Sequence, residues 1–186
     1  MSTLDTLETT TPGTLPTGTW QLDPVHSQIG FAVKYMVGTF RGSFSPVAAT
    51  LAVAEDGSAS LTGSARAESV KVQEPSLVAH LLSPDFFDAE RAPELGFRST
   101  GVRVSGDHVV VDGELSIKGA TKPVSLEGDV TEAITDPYGR ERIGITLAGS
   151  IDRTEFGITW NNPLPSGKSA LANEVSLDAE LYLVKE

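Results

Sequence analysis

Apolar and polar residues alternate along most of this chain. Between Asp107 and Val130, Val109, Val111, Leu115 and Ile117 share one parity with Gly113, while Asp112, Glu114, Ser116 and Lys118 share the other. After a short break, Val124, Leu126 and Val130 alternate with Ser125, Glu127 and Asp129. Successive side chains of a strand point to opposite faces, so this pattern predicts two strands, each with a dry and a wet face. Gly119-Ala120-Thr121 is short enough to join them as a hairpin. Pro123 has no N–H to give to a ladder and is expected at the very start of the returning strand.

The same logic recurs before and after this stretch. Trp20 to Met36 is a strand region kinked at Asp23-Pro24, with Ile29, Phe31, Val33 and Tyr35 on one parity. Val47, Ala49, Leu51 and Val53 follow in Thr39 to Ala54, where Pro46 predicts an edge or bulge. Asp56-Gly57 is a hairpin turn signal. Ala59 to Val70 returns with Leu61, Gly63, Ala65 and Ala67, small residues that leave room on the inner face. The period then changes. Glu74-Pro75-Ser76 starts a helix with Leu77, Val78, Leu81 and Leu82 on its apolar face, and Pro75 suits the first helical position. Ser83-Pro84 opens a second short turn through Phe86-Phe87, and Pro93 ends it. Strand spacing resumes from Leu95 and Phe97 to Val104. Asp136-Pro137-Tyr138-Gly139 is a turn. A long strand run covers Glu141 to Ile158, a polar loop Asn161 to Ser169, and a last strand carries Val175, Leu177, Ala179, Leu181 and Leu183 inward.

This amounts to roughly eight strands, short turns and one helical insertion, an all-β chain. Long antiparallel strands with one dry face close into an up-and-down barrel, which removes the sheet edges. A two-sheet sandwich is the alternative. Segments often longer than about ten residues favour the barrel, because sandwich strands are usually shorter.

Composition narrows the function. The chain has 186 residues, enough for one domain with a sizeable core. It has no cysteine, which excludes disulfides, thiolate metal sites and cysteine nucleophiles. Its formal net charge of -11 repels phosphates and argues against nucleic acid as a partner. No run reaches the length of a transmembrane helix. Met1 to Gly18 is rich in Thr, Pro and Gly and reads as a disordered tail ahead of a domain over residues 19–186. It lacks the basic start and apolar core of a secretory signal, so a cytoplasmic location is expected.

Candidate chemistry is thin. His26, His80 and His108 are far apart and in no metal-ligand spacing. His26 follows Asp23 by three residues, which do not converge in an extended chain. No phosphate-binding glycine fingerprint and no serine elbow is present. The aromatic residues say more. Phe86 and Phe87 lie on the helical insertion, where a lid would sit, and Phe156 and Trp160 flank the loop after the longest strand run. Each is read most simply as core; together they fit an apolar cavity wall with a mouth.

Four segments in order resemble the YceI-like family of lipid-binding proteins. They are Trp20-Gln-Leu-Asp-Pro-Val-His-Ser27 with Phe31-Ala-Val-Lys and Gly42-Ser-Phe44; His80-Leu-Leu-Ser-Pro-Asp-Phe-Phe-Asp88 with Pro93 and Phe97-Arg-Ser99; Leu115-Ser-Ile-Lys-Gly-Ala-Thr-Lys-Pro-Val-Ser-Leu126; and Asp136-Pro-Tyr-Gly139 with Asp152-Arg-Thr-Glu-Phe-Gly-Ile158. The likeness spans about Gly18 to Lys185. It implies an eight-stranded lipocalin-like barrel with a helical insertion, whose pocket holds a long-chain isoprenoid lipid or isoprenoid quinone. Dimers occur in such a family, so a homodimer is compatible with the resemblance. No cofactor is implied beyond the bound lipid. The chain departs from the family in having Leu77-Val78 where Arg-Asp is frequent, which makes the insertion more apolar.

Parity and position select Phe31, Val33, Leu81, Phe86, Phe87, Phe97, Phe156 and Trp160 as ligand-binding candidates. The leading expectation is a non-catalytic binder of an isoprenoid. Two others stand beside it. One is an enzyme acting on a hydrophobic small molecule inside the barrel, with His26 or Arg153 handling protons or anions. The other is a filled barrel that serves as an interaction surface.

Overall fold

The computed structural model describes residues 14–186. The chain runs as β1 (Gly18–Leu22), β2 (Gln28–Tyr35), β3 (Gly38–Phe44), β4 (Val47–Val53), β5 (Ala59–Arg66) and β6 (Val70–Val72). A short helix α1 (Val78–Leu82) follows. Then come β7 (Glu94–Ser105), β8 (His108–Ile117), β9 (Ala120–Val130), β10 (Ile134–Thr135), β11 (Glu141–Asp152) and β12 (Leu171–Lys185). Every pairing is antiparallel, and β11 against β12 closes the ring. The closed barrel has eight strands, as the alternation predicts. The segments outnumber them because β1 and β2, β3 and β4, and β5 and β6 each share one course, and the two-residue β10 pairs with β11 alone. Asp23-Pro24 and Ser45-Pro46 break two of these courses, since proline cannot donate to a ladder.

Two local expectations are corrected. The hairpin is tighter than expected: Lys118 (φ 53) and Gly119 (φ 76) alone form the turn, and Ala120 and Thr121 already pair with Ile117 and Ser116. Pro123 therefore lies inside β9, opposite Glu114, not at its start. It is tolerated because β11 joins β9 only from Glu127 to Val130, leaving the other edge of Pro123 unpaired. The long strand run also stops early, at Asp152. The Asp152 carboxylate accepts from Thr154 N at 2.9 Å and Thr154 Oγ1 at 2.6 Å, turning Arg153–Phe156 into a 3-10 turn.

Residues 1–13 of the expected tail lie outside the described residues. The remainder of it is packed: Leu15 is buried and the Pro16 carbonyl accepts from the Trp20 indole N–H at 3.1 Å. This marks the filled end of the barrel, where Trp20, Leu51, Val109, Val111 and Leu183 meet almost without solvent contact. The β2–β3 hairpin, α1, the Lys118-Gly119 turn and the 153–170 segment all leave at the opposite end.

Asp23 and His26, expected to stay apart, do converge. The Asp23-Pro24 turn brings His26 Nδ1 to 2.8 Å from Asp23 Oδ2. Arg142 then bridges Asp23 (3.0 Å) and Asp136 (2.7 Å). Asp136 also accepts from the Tyr138 and Arg140 amides of the Asp136-Pro-Tyr-Gly139 turn. Two of the four segments that carry the resemblance thus form one clasp through Arg142 of β11. The His26 and Arg142 hydrogen bonds hold the Asp23 carboxyl at about 2, down from 3.8. The Arg140 amide and Arg142 hold Asp136 at about 2 as well. A carboxyl whose pKa falls on folding stabilises the fold fully above its unfolded pKa, and that contribution is lost as pH drops through the folded value. Between 3.8 and about 2, then, the clasp should release. A series of melting temperatures across that window should fall more steeply for the natural chain than for an Asp136→Asn variant. Parallel curves would show that the clasp carries no pH-dependent stability.

Candidate functional site: an apolar cavity under an aromatic mouth

The inner residues of the open half do not meet across the barrel. They leave a cavity of about 390 Å³, within the roughly 300–1,000 Å³ usual for small-molecule sites. Its wall is built by the two-residue period. Ile29, Phe31, Val33 and Tyr35 line it from β2, Leu95 and Phe97 from β7, and Val175, Leu177 and Leu181 from β12. Ala49, Gly63 and Ala65 supply the space opposite, because at those positions β4 and β5 put little or no side chain inward.

Two glycines fix how the rings lie. A Cβ at Gly42 or Gly113 would collide with the ring of Phe31 or Phe97, respectively. Each phenylalanine lies flat over a neighbouring strand only because that strand offers bare backbone. Phe31, Phe44 and Phe87 form a continuous band, with Phe87 edge-on to Phe31 (6.2 Å) and Phe44 (5.5 Å).

The insertion closes the open end. Glu74 caps its first turn by accepting from Ser76 N at 3.1 Å, with Pro75 at the first position as predicted. Leu81 is buried beneath it. Lys118 donates to the carbonyls of Pro84 (2.5 Å) and Gly157 (3.1 Å), tying the insertion to the turn that follows β11. At the mouth, His80 stands edge-on between Phe86 (4.9 Å) and Trp160 (5.0 Å), and its Nε2 lies 3.1 Å from Asp85 Oδ2.

Seven of the eight sequence candidates, Phe31, Val33, Leu81, Phe86, Phe87, Phe97 and Trp160, line this cavity. Phe156 does not. With β11 ended at Asp152, its ring turns into the wall and packs with Ile117 and Ile158. Sequence reasoning passed over Phe40 and Phe44 as lining residues, although their parity on β3 was legible, and His80, whose ring packs on Phe86 six positions away and on Trp160 eighty positions away.

The two groups singled out for an enzyme lie apart: His26 is away from the cavity and Arg153 is in its lining. His26 lies on the outer surface with its side chain 59% exposed. His108 is outside too, 3.4 Å from Glu127. Arg153 is buried beside the cavity, and its guanidinium donates to four main-chain carbonyls. Burial pushes its pKa down from the ordinary value. Among the described residues no cluster of three or more His, Asp or Glu is arranged around a metal.

Comparison with known proteins places this architecture. Solved structures with the same fold include BcnA of Burkholderia cenocepacia (TM-score 0.73, 20% identity, 87% of this chain and 98% of that one). A YceI protein of Campylobacter jejuni superposes with a TM-score of 0.69 at 20% identity over 100% and 98% of the chains. A polyisoprenoid binding domain from Saccharophagus degradans, implicated in plant cell wall breakdown, gives 0.64 at 12% identity over 90% and 98%. In sequence, the chain is 40% identical over 77 residues to UPF0312 protein plu2095 of Photorhabdus laumondii, covering 41% of this chain and 40% of the relative. It is 38% identical over 79 residues to Protein YceI of Escherichia coli O157:H7, covering 42% and 41%. The matched stretches thus span about two fifths of these relatives' length. The model of the YceI-like domain matches residues 20–183, from the buried Trp20 to the buried Leu183, so the chain belongs to the YceI-like family.

Proposed function

We propose that this barrel binds a long-chain isoprenoid lipid, such as a polyprenyl lipid or an isoprenoid quinone, and carries or stores it without turning it over. The observation that carries this reading is the cavity: about 390 Å³ enclosed by apolar side chains, with an aromatic mouth that one short insertion covers. A flexible hydrocarbon needs no site motif. Each buried methylene gains about 0.8 kcal/mol, so ten gross roughly 8 kcal/mol before ordering costs. Shape and dryness suffice, and residues such as Phe31, Phe87 and Phe97 provide both. The fold shared with the Saccharophagus degradans polyisoprenoid binding domain supports the same ligand class.

Organic-solvent extraction of the purified protein tests this. An isoprenoid is expected in the mass spectrum at near-stoichiometric amount. Where the extract is empty, adding an isoprenoid quinone at about a hundred times its Kd should raise stability by roughly 2.7 kcal/mol. An empty extract together with an unmoved melting temperature would falsify the reading.

A further inference from the structure

We propose that Arg153 reads the oxygen-bearing head of the ligand through one guanidinium N–H that the protein itself leaves unused. The inference rests on the reading that the cavity holds an isoprenoid, and it adds where the polar end of that molecule goes.

A guanidinium has five N–H groups. In Arg153, Nε donates to Ala172 O (2.8 Å), Nη1 to Ile158 O (2.8 Å) and Trp160 O (2.8 Å), and Nη2 to Leu171 O (3.3 Å). The second N–H of Nη2 has no partner among the described residues. The residue is 3% exposed, so bulk water does not take that place. Arg153 forms no ion pair among the described residues. A buried cation that is held by carbonyl dipoles alone is costly unless a further acceptor reaches it. Arg153 is also the only arginine or lysine among the described residues that line the cavity. An acceptor oxygen on a bound molecule would therefore find one strong donor there, inside a dry wall where such a bond is strengthened.

Position gives direction. The carbonyls that hold Arg153 belong to the 157–160 segment and the start of β12, both at the mouth end beside Trp160. A ligand with its oxygen at Arg153 would lay its tail toward Leu61, opposite Leu51 of the filled end, deeper in the barrel. The head is thus an acceptor, either a neutral carbonyl as in a quinone or an anionic phosphate. A plain hydrocarbon of the same length would fill the cavity but leave the N–H unpaired.

Three probes with matched isoprenoid tails separate these cases on the whole protein: a hydrocarbon, a quinone and a monophosphate. Binding is followed by the fluorescence of Trp160, which lines the cavity. At least one oxygen-bearing probe should bind about ten- to a hundredfold more tightly than the hydrocarbon. Whichever oxygen-bearing probe leads identifies the head as neutral or anionic. In Arg153→Gln the preference of the oxygen-bearing probes over the hydrocarbon should shrink to within about threefold, whatever the change in hydrocarbon affinity itself. A purely structural Arg153 would instead weaken all three probes together. Equal affinity of the natural protein for the three probes would overturn the proposal and leave the cavity reading intact. The same holds for a head preference that survives in Arg153→Gln. Failure of every probe to bind would remove the cavity reading and this proposal with it. If Arg153→Gln does not fold, Arg153→Lys takes its place: with three donors for five it cannot hold the four carbonyls and a ligand oxygen together, so the preference should shrink there too, and an unchanged preference would overturn the proposal.

Discussion

Replacing Trp20 by alanine should cost about 3–5 kcal/mol of stability, the largest loss from any single truncation among the described residues. Trp20 is fully buried at the filled end, where its neighbours Leu51 on β4 and Leu183 on β12 are equally closed to solvent. Truncation there removes the most buried apolar surface of any residue in the core and opens a void that fixed strands cannot collapse. It also strands the Pro16 carbonyl, which takes the indole N–H at 3.1 Å, and frees the segment around Leu15. For a domain of this size the melting temperature should fall by about 6–20 °C. Trp160→Ala makes the contrast. Trp160 is half-buried against Phe86 and His80 at the mouth, so its loss should be felt in ligand binding more than in stability. Urea unfolding of both variants checks this. A Trp20→Ala loss below about 1 kcal/mol would show that the filled end does not hold the barrel together.

That division between a filled and a hollow end was only half legible in the sequence. The inner face was plain, because a strand reports it every second residue: Ile29 to Tyr35 and Val109 to Ile117 read inward and lie inward. The room was legible too, in Ala49, Gly63 and Ala65. What parity does not tell is which inward residues meet across the barrel. Trp20 and Val111 fill one end, whereas Phe31 and Phe97 stand back from a cavity, and the difference lies in strand tilt and in partners far away in sequence. Local capping overrode the pattern once: Asp152 ended β11 and sent Phe156 into the wall, although the apolar run continues to Ile158. At Asp23 and His26 the error was of the opposite kind. A proline turn brought together residues that an extended chain would have kept apart. Arg153 reads from the sequence only as a group that could handle protons or anions. Its partners are main-chain carbonyls, which no residue pattern announces.

The hollow end yields the second large effect. Ala65 on β5 lines the cavity opposite the aromatic band, and β5 there pairs Ala65 with Val47 and Leu95. Ala65→Phe should place a ring in the space the ligand needs. Displacing about four methylenes of ligand forfeits roughly 3 kcal/mol, so affinity should fall about a hundredfold. Overpacking a dense core is destabilising, but here the new ring enters a void. The ligand-free variant should therefore melt within a few degrees of the natural protein, or above it. Titration with an isoprenoid quinone, alongside thermal melts without ligand, separates the two quantities. Lost binding with kept stability means that the cavity is the binding site. Lost stability with kept binding would mean that the ligand lies elsewhere and that the hollow half is packed more tightly than its 390 Å³ implies.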